Sequence, residues 1–511
     1  MIRPAIFKFL ILSILLLSFT ACKTNTDNEA EKLARIYCGS CHQFTEPALL
    51  DQETWKNRVL PRMALRMGIL PQDVKTQSLQ DDYYLLSEND LLPNQPLVDQ
   101  ETWGKIRNYY LQKAPDSLPK PDQRVEELDL FTLKTPQINT GKLPAVTFIE
   151  HFNNYGTLIT SFAGKKLWID PDQKVPVSVD LIPKIVSHIE PLADQNLLVT
   201  FLGDVIRPDA PPSGLVATFT MEDNQLKSAI PLPLPPLYRP TQAFLAELDG
   251  REGNELVTCQ FGFYQGSLSY WFRDESGKFI EQVIRREPGV LKAEAEDFNE
   301  DGLTDLMVLF AHGNERISLL INQGNGKFSE KMILQFPAVY GSSFFTRPDI
   351  DGDGLKDIVY TCGDNADLSP VPKPYHGVYI YLNQGNHKYE KVYHCPLNGA
   401  YKVVAEDFDL DGDLDLAAVG FFVDEAAPRG FIYLEQLPGF KFKAMTKDLD
   451  AMGRWIGITA GDIDQDGDKD IMLGNGYGLS GLDFSGDFKE DPGPPWIILE
   501  NKSIDADNLA N

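Results

Sequence analysis

The sequence predicts a mainly β protein in which a repetitive, strand-rich region follows a small helical domain. Three observations carry this prediction. A nine-residue pattern rich in aspartate recurs four times in the second half of the chain, each time before a short apolar run. Apolar residues at helical spacing lie before residue 118. The 39 glycines and 35 prolines fit many short strands joined by turns, and 43% hydrophobic residues supply a core.

Charge and cysteine usage exclude two classes of protein. The 511 residues include 74 acidic and 47 basic side chains, a formal net charge of −27. A phosphate backbone would be repelled by this charge, so we expect no nucleic-acid partner. Of the six cysteines, three lie before residue 42 and three are scattered beyond residue 258. This distribution excludes a disulfide-stapled scaffold.

The start of the chain predicts export and anchoring. Two basic residues precede an apolar run over 9–19. This run is too short to cross about 30 Å of hydrocarbon and is typical of a signal peptide, here residues 1–21. Its end, Phe19-Thr20-Ala21-Cys22, resembles the bacterial lipoprotein box, which implies diacylation of Cys22 and a tether over 22–28. Plain secretion is the alternative. We therefore expect a lipid-anchored protein of the bacterial cell envelope, on the periplasmic side or the outer membrane.

The segment Cys38-Gly39-Ser40-Cys41-His42 has the spacing that attaches c-type haem. Two thiols three positions apart can each add to a vinyl group of one porphyrin, and His42 is then placed to ligate the iron. A redox dithiol requires no following histidine, and a structural zinc site would need a second Cys/His pair nearby. The motif predicts one covalent haem c, held by Cys38 and Cys41 with His42 as an axial ligand.

Around this motif, apolar spacing predicts helices that include residues 33–37, 54–67 and 102–114, the last stopped by Pro115. Together with the haem motif, they resemble a class I cytochrome c over residues 29–118. The resemblance implies an all-α domain in which the first and last helices cross and the chain between them wraps the haem.

The resemblance also implies a methionine as the second axial ligand of the iron. Met63 is the first candidate and Met67 the second, and both lie closer to the haem motif than is usual. A thioether would raise the potential of the iron relative to a second histidine. Packing against the haem is the alternative role for either side chain. For the other ring nitrogen of His42, the carbonyl of Pro47 is the expected partner.

A linker predicted over 119–141 leads to the repeat. Each repeat has a carboxylate or amide at positions 1, 3, 5 and 9 and glycine at position 6. A hard cation such as Ca²⁺ needs oxygen ligands and a sharp turn in this order. The four sets of predicted ligands are Asp297, Asn299, Asp301 and Asp305; Asp349, Asp351, Asp353 and Asp357; Asp407, Asp409, Asp411 and Asp415; and Asp462, Asp464, Asp466 and Asp470.

An EF-hand loop begins in the same way but requires glutamate at position 12. Here that position holds Val308, Tyr360, Ala418 and Leu473, each inside an apolar run. The loops therefore join β-strands. A hairpin signal lies downstream in each unit, which gives about four strands per repeat and makes each repeat a propeller blade.

These repeats resemble the FG-GAP/VCBS family of calcium-loop β-propellers. The resemblance implies about four bound Ca²⁺ in a propeller over 142–501, followed by a tail over 502–511. A degenerate repeat over 247–255 carries Arg251 at position 5. It predicts a blade without metal, because the guanidinium can neutralise its neighbours. Further strand signals upstream give about seven blades, with six or eight as alternatives.

Two functions follow from these features. In the first, the protein is a membrane-anchored electron carrier whose propeller binds a redox partner protein, an anionic glycan or another surface ligand. In the second, it is an oxidoreductase whose propeller binds substrate and passes electrons to the haem. No nucleophile–base pair or phosphate-binding loop stands out between residues 140 and 501, which favours the carrier. Candidates for the mouth of the propeller channel, expected to attract anions, are His188, Arg239, Lys292, Lys402, Arg454 and Trp455.

Overall fold

The chain divides into two compact units, Met1–Leu118 and Pro119–Asn511. The predicted signal peptide, Cys22, and most of the tether and tail lie outside the residues described. Among the described residues, no helix is long and apolar enough to cross a membrane. The computed structural model describes residues 28–70, 77–120, 125–136, 143–162, 166–170, 177–180, 184–193, 196–206, 210–222, 225–251, 253–364, 369, 371–422, 430–479 and 492–504.

The described elements of the first unit are helices. The helices predicted over 54–67 and 102–114 are confirmed to within two residues. The helices are α1 (28–38), α2 (Gln52–Thr54, a π-helical turn at Trp55–Val59, and Leu60–Arg66), α3 (Gln77–Glu88) and α4 (Gln100–Lys113), with a 3-10 turn at Pro47–Leu49.

Helices α2 and α4 pack on each other through aromatic rings. Asp51 and Asp99 cap their first turns, since a carboxylate oxygen of each accepts the N–H of the third residue on, at 2.8 and 2.7 Å. Trp103 and Ile106 are buried on α4. The ring of Tyr110 lies 4.4 Å from that of Trp55 between centroids, so α4 forms part of the core of this unit.

Among the described residues, the second unit contains seven β-sheets, each with four antiparallel strands, and one of these sheets has a fifth, parallel strand. This arrangement confirms the predicted propeller, and the seven sheets match the predicted count. Blades 1 to 3 contain β3 (Val146–Phe152), β4 (Gly156–Ser161), β5 (Lys166–Asp170) and β6 (Val177–Asp180); β7 (Ile185–Pro191), β8 (Asn196–Gly203), β9 (Leu215–Glu222) and β10 (Gln225–Pro231); and β11 (Pro240–Ala246), β12 (Glu255–Gln260), β13 (Ser267–Arg273) and β14 (Phe279–Arg285).

Blades 4 to 7 carry the repeated loops. Their strands are β15 (Val290–Glu296), β16 (Asp305–Phe310), β17 (Arg316–Asn322) and β18 (Phe328–Gln335); β19 (Ser342–Thr346), β20 (Ile358–Cys362), β21 (Gly377–Asn383) and β22 (Tyr389–Pro396); β23 (Ala400–Glu406), β24 (Asp415–Gly420), β25 (Phe431–Leu437) and β26 (Lys441–Thr446); and β27 (Trp455–Gly461), β28 (Asp470–Asn475) and β29 (Trp496–Asn501) with β2 (Phe131–Lys134). A short strand β1 (Glu126–Glu127) pairs in parallel with β26.

The blades form a closed ring. The first strand of each blade contacts the first strand of the next, and β27 contacts β3. An apolar cluster fills each of the seven junctions between blades. At the junction of blades 7 and 1, Met472 and Trp496 pack with Val146 and Ile149. Each blade thus buries its faces against two neighbours, which a single blade could not do alone.

The segment predicted as a linker closes the ring. Residues 119–141 contain β2, which pairs antiparallel with β29 and supplies the fourth strand of blade 7. Phe131 of this strand is 1% exposed and packs in the cluster between blades 6 and 7. The prediction of a plain linker is therefore wrong for this strand. Ring closure is the physical reason, because an unpaired β29 would leave a sheet edge exposed.

Candidate functional site

The repeated loops join the first and second strands of blades 4 to 7, as predicted; we call 297–305, 349–357, 407–415 and 462–470 the acidic loops. In three of them the carboxylates at positions 1, 3 and 5 converge, with one oxygen of each within 4.8 Å of the others. Oxygens that ligate one Ca²⁺ at about 2.3–2.6 Å can lie this far apart. The three clusters are Asp349, Asp351 and Asp353; Asp407, Asp409 and Asp411; and Asp462, Asp464 and Asp466.

Turns in the backbone bring these carboxylates together. In blade 5, Asp349 Oδ2 accepts the N–H of Gly354 at 2.9 Å, and Asp353 Oδ1 accepts that of Leu355 at 2.8 Å. The residues at positions 4 and 6 both have left-handed φ, +73° at Gly352 and +88° at Gly354. Glycine at position 6 meets this requirement at no steric cost, which explains its place in the repeat.

One oxygen of each converging position-1 carboxylate is buried without a partner. Asp349 Oδ1, Asp407 Oδ1 and Asp462 Oδ1 have no hydrogen-bond donor among the described residues. A buried, unpaired carboxylate oxygen is strongly unfavourable. A hard cation among the oxygens of each cluster would remove that cost, so these residues fit Ca²⁺.

The acidic loop of blade 4 differs because position 3 is an amide. Asn299 Nδ2 donates to Asp301 Oδ2 at 2.9 Å. Both oxygens of Asp297 accept backbone N–H groups, from Asp301 at 3.1 Å and from Gly302 at 2.8 Å. Hydrogen bonds within the loop therefore satisfy oxygens that the other three loops leave available. We expect this loop to bind a cation most weakly.

Position 9 is buried and holds the loop in shape. Asp357 is 1% exposed; its Oδ2 accepts the N–H of Ile350 at 2.9 Å, and its Oδ1 accepts that of Asn383 at 2.7 Å. Burial raises the pKa of Asp470 to about 6 and that of Asp415 to about 7. Ligation by position 9 stays a prediction, whereas its bonds to the backbone are a second role that the motif alone does not reveal.

The degenerate loop of blade 3 (247–255) keeps the backbone hydrogen bond to position 9 and carries the guanidinium of Arg251. Glu255, at position 9, accepts the N–H of Leu248 at 2.7 Å. Arg251 Nη1 lies 3.0 Å from Asp249 Oδ2, and its Cζ lies 3.6 Å from the centroid of the Phe272 ring. The positive charge thus stands beside the position-3 carboxylate, as predicted for a blade without metal.

The haem-motif residues lie where α1 ends. Cys38 is the last residue of α1 and is half-buried, whereas Cys41 is exposed; both thiols are free. Burial raises the pKa of the Cys38 thiol to about 11. Nδ1 of His42 lies 2.8 Å from the carbonyl oxygen of Gln43. Because a carbonyl only accepts, Nδ1 holds the proton and Nε2 the lone pair, the tautomer that ligates a metal through Nε2.

His42 Nδ1 contacts the carbonyl of Gln43, the next residue in the chain, and not the expected carbonyl of Pro47. The carbonyl of Pro47 accepts from Trp55 Nε1 at 2.8 Å, and the carbonyl of Gln43 takes the bond to the imidazole. Of the two candidate methionines, Met67 is 7% exposed and Met63 is half-buried on α2. The burial of Met67 fits a packing role, so Met63 remains the first candidate for the sixth ligand.

Four of the six channel candidates lie on inner strands: His188 on β7, Lys292 on β15, Lys402 on β23 and Trp455 on β27. Lys402 Nζ donates to Glu150 Oε2 at 2.6 Å, and Lys292 Nζ donates to Glu294 Oε1 at 2.8 Å. Burial, with these two lysines nearby, lowers the pKa of His188 to about 4. Since glutamates pair both lysines and the histidine is neutral, the expectation of a basic channel is wrong.

Two candidates precede inner strands, and Trp455 does not face the channel. Arg239 and Arg454 directly precede β11 and β27, at the end of the channel opposite the acidic loops. Trp455 is fully buried in the cluster between blades 6 and 7, so its assignment to the channel is wrong. A bulge between Trp455 and Gly457 shifts the alternation of β27, which turns the first residue of the strand into the blade junction.

A cavity of about 470 Å³ lies at the acidic-loop end of the inner strands. Sequence reasoning missed it, because its walls come from four blades and are brought together only by the ring. Its volume is in the range of small-molecule sites. It is lined by Glu190, Gln242, Phe244, Leu245, Ala293, Glu294, Ala295, Glu296, Thr346, Arg347 and Lys356.

Comparison with protein families matches the acidic loops. The FG-GAP-like repeat model matches residues 297–360 and 349–418, which begin at the loops of blades 4 and 5. The chain carries FG-GAP-like repeats. The match covers three of the four predicted loops and confirms the resemblance in this part of the sequence.

Solved structures of similar arrangement have low sequence identity. A virginiamycin B lyase from Staphylococcus aureus is 13% identical, with a TM-score of 0.43 over 67% of this chain and 95% of that one. A streptogramin B lyase is 10% identical, with a TM-score of 0.46 over 73% and 98%. A protein from Lactobacillus plantarum is 10% identical, with a TM-score of 0.36 over 70% and 100%.

Proposed function

We propose that this protein is a lipid-anchored c-type cytochrome of the bacterial envelope that takes part in electron transfer. Its propeller is stabilised by about four Ca²⁺ and binds a partner protein or a glycan. The observation that carries the proposal is the Cys38–His42 motif, with two free thiols and an imidazole whose Nε2 is available.

The residues of the first unit support a covalent haem. Cys38 and Cys41 would form the thioether bonds, and His42 Nε2 would ligate the iron, oriented by the bond from Nδ1 to the Gln43 carbonyl. When bound, the haem supplies a one-electron iron couple. Met63 would be the second axial ligand, with Met67 as the alternative.

The acidic loops support structural calcium. In each converging loop, oxygens at positions 1, 3 and 5 share one small space, and one buried oxygen of position 1 lacks a donor among the described residues. In blade 5, both carboxylate oxygens of position 9 already accept backbone N–H groups. A cation would therefore stabilise the loop by binding the oxygens of positions 1, 3 and 5.

The haem is tested on the full chain expressed with a c-type haem maturation system. We expect a reduced spectrum typical of c-type haem and a protein mass increased by one porphyrin. Cys38→Ser combined with Cys41→Ser should abolish covalent attachment. Ser40→Ala is the matched control, because Ser40 lies inside the motif and is not one of the attaching groups. Its hydroxyl donates to the Tyr37 carbonyl at 2.7 Å and lies 3.7 Å from Cys41 Sγ. Absence of porphyrin mass in the mature wild type would overturn the proposal.

The two axial candidates are separated by their effect on the iron. His42→Ala should leave the porphyrin attached but change its spectrum. If Met63 ligates the iron, Met63→Ala should lower the reduction potential and remove the spectroscopic signature of a thioether ligand, whereas Met67→Ala should not. The opposite outcome would assign Met67.

The oxidoreductase is a second candidate because the propeller contains a cavity large enough for a small substrate. Haem reduction by purified small molecules, without a partner protein, would establish it. Reduction only in the presence of a redox protein would support the carrier.

Cys22→Ser should release the chain from the membrane fraction if lipidation anchors it.

A further inference from the structure

The cavity at the acidic-loop end of the channel contains one carboxylate that no lysine or arginine pairs among the described residues. Blades 2 to 5 contribute its walls. Below it lies the channel, where Lys292 and Lys402 are already paired with glutamates. This unpaired carboxylate is a group that a ligand can use.

Glu190 is a carboxylate without a cationic partner in the described part of the chain. The nearest basic group is the imidazole of His188, whose Nε2 lies 3.9 Å away, and that imidazole is neutral at pH 7. The Glu190 side chain is 40% exposed. It can therefore receive an ammonium group from a ligand, forming a charge-assisted hydrogen bond.

Arg347 is a wall of the cavity whose charge is already paired. Its side chain is 8% exposed, and its Nε–H is buried too deeply to meet a ligand. Its Nη1 is held by Glu296 at 2.8 Å, and Glu294 lies 3.6 Å away. Glu296 also accepts from Lys356 Nζ at 3.1 Å. Because the Glu296 side chain is 41% exposed, its carboxylate can still accept from a neutral hydroxyl of a ligand.

The lining residues Phe244 and Gln242 determine which shape of ligand fits the cavity. Phe244 supplies an apolar face, and Gln242 lies beside it on β11. The Oε1 atom of Gln242 accepts the N–H of Ala293 at 2.8 Å, which leaves its amide N–H groups as donors. The fitting ligand therefore has one amine, several hydroxyls and one apolar face.

We propose that this cavity binds an amine-bearing sugar, of the hexosamine class, with its ammonium group on Glu190, its hydroxyls on Glu296 and Gln242, and its apolar face on Phe244. The cavity of about 470 Å³ has room for about one or two sugar rings. The inference deepens the proposed binding role of the propeller and rests on it. It replaces the anionic glycan expected from the sequence with a cationic one.

Binding is measured by calorimetry on the full chain at pH 6.5 with saturating Ca²⁺. The probes are glucosamine, glucose, which lacks the amine, cyclohexylamine, which lacks the hydroxyls, and glucuronate, which adds a carboxylate. Glucosamine should bind about fivefold more tightly than glucose or cyclohexylamine, and glucuronate should bind most weakly. Equal affinities for glucosamine and glucose, or tightest binding of glucuronate, would overturn the proposal.

Two variants locate the site. Glu190→Gln should reduce glucosamine affinity to that of glucose and leave glucose binding unchanged. Glu390→Gln, at an exposed position on β22, is the matched control and should bind as the wild type does. An unchanged glucosamine affinity in Glu190→Gln would contradict the site, provided that the variant melts with the wild type. Haem content is read from the spectrum of the same preparation, so failure of the sugar site and failure of the cytochrome proposal are distinguishable.

Discussion

The loops of blades 3 and 5 form the same turn around different charges. In both, the position-9 carboxylate accepts the backbone N–H of position 2: Glu255 from Leu248 at 2.7 Å, and Asp357 from Ile350 at 2.9 Å. Position 5 is Arg251 in one loop and an aspartate in the other. The frame of the turn therefore does not depend on a cation, whereas the balance of charge within it does.

This comparison separates two roles that the repeat pattern merges. Position 9 has a structural role, because Glu255 of blade 3 keeps its hydrogen bond to Leu248 although position 5 of that loop is an arginine and not a carboxylate. In blades 5 to 7, positions 1, 3 and 5 supply converging carboxylates, where we propose a cation. In blade 3, a guanidinium at position 5 stands beside the position-3 carboxylate instead. Each prediction below tests one side of this division.

The largest expected effect is that of chelation. Removal of Ca²⁺ from the full chain should lower the melting temperature by about 10 °C or more, because several loops would lose a ligand bound only by the folded state. Differential scanning calorimetry with and without a chelator measures the shift. The same melt in both conditions would show that the acidic loops need no cation.

Within one loop, positions 9 and 3 should respond differently. Asp357→Asn should cost about 2–4 kcal/mol of unfolding free energy with or without Ca²⁺, because one of two buried oxygens that accept backbone N–H groups is replaced by an NH₂ donor. Asp351→Asn, at an exposed position, should destabilise only when Ca²⁺ is present. Urea unfolding of both variants in each condition is the measurement. Equal losses in chelator would contradict the division of roles.

A buried carboxylate outside the loops should give a pH dependence independent of calcium. Burial raises the pKa of Glu315 to about 7 from an ordinary value of 4.5. Below pH 4.5 the carboxyl is protonated in the folded and unfolded chain. As pH rises from 4.5 to 7, the unfolded chain loses this proton first, so stability falls, by about 3 kcal/mol in all.

The measurement compares the wild type with Glu315→Gln in urea unfolding from pH 5 to 8 at saturating Ca²⁺. The glutamine variant lacks this titration, so the difference in unfolding free energy should shift in its favour as pH rises. It still loses one acceptor, since Glu315 Oε2 accepts from Ser342 N and Oγ at 2.8 and 2.6 Å. A difference independent of pH would show that the carboxylate titrates normally.

The smallest effect should come from the guanidinium of blade 3. Arg251 is half exposed, so its ion pair contributes no more than about 1 kcal/mol. Arg251→Asp should destabilise the chain slightly in chelator and raise the number of bound Ca²⁺ by one, read by calorimetric titration. Arg251→Gln removes the charge without adding an oxygen pair and should leave the count unchanged. An unaltered count in the aspartate variant would mean that position 5 does not decide metal binding.

Much of the propeller follows from local sequence patterns. The acidic loops, the strands after them and the four-strand unit were predictable, because alternate carboxylates, a left-handed glycine and an apolar run each act over fewer than ten residues. The pairing of β2 with β29 was not, since Phe131 and Asn501 lie far apart in the chain. The same holds for Lys402 and Glu150, which meet only because the ring brings β23 and β3 to one channel.

The sequence by itself determined where a porphyrin could be fastened and which turns could hold a cation, because those functions require fixed spacings along the chain. Only the tertiary structure decided that the channel is neutral, that Trp455 belongs to the core and that a cavity opens beside the acidic loops. These properties depend on groups contributed by several blades. Their distances are set by closure of the ring, which no local spacing encodes.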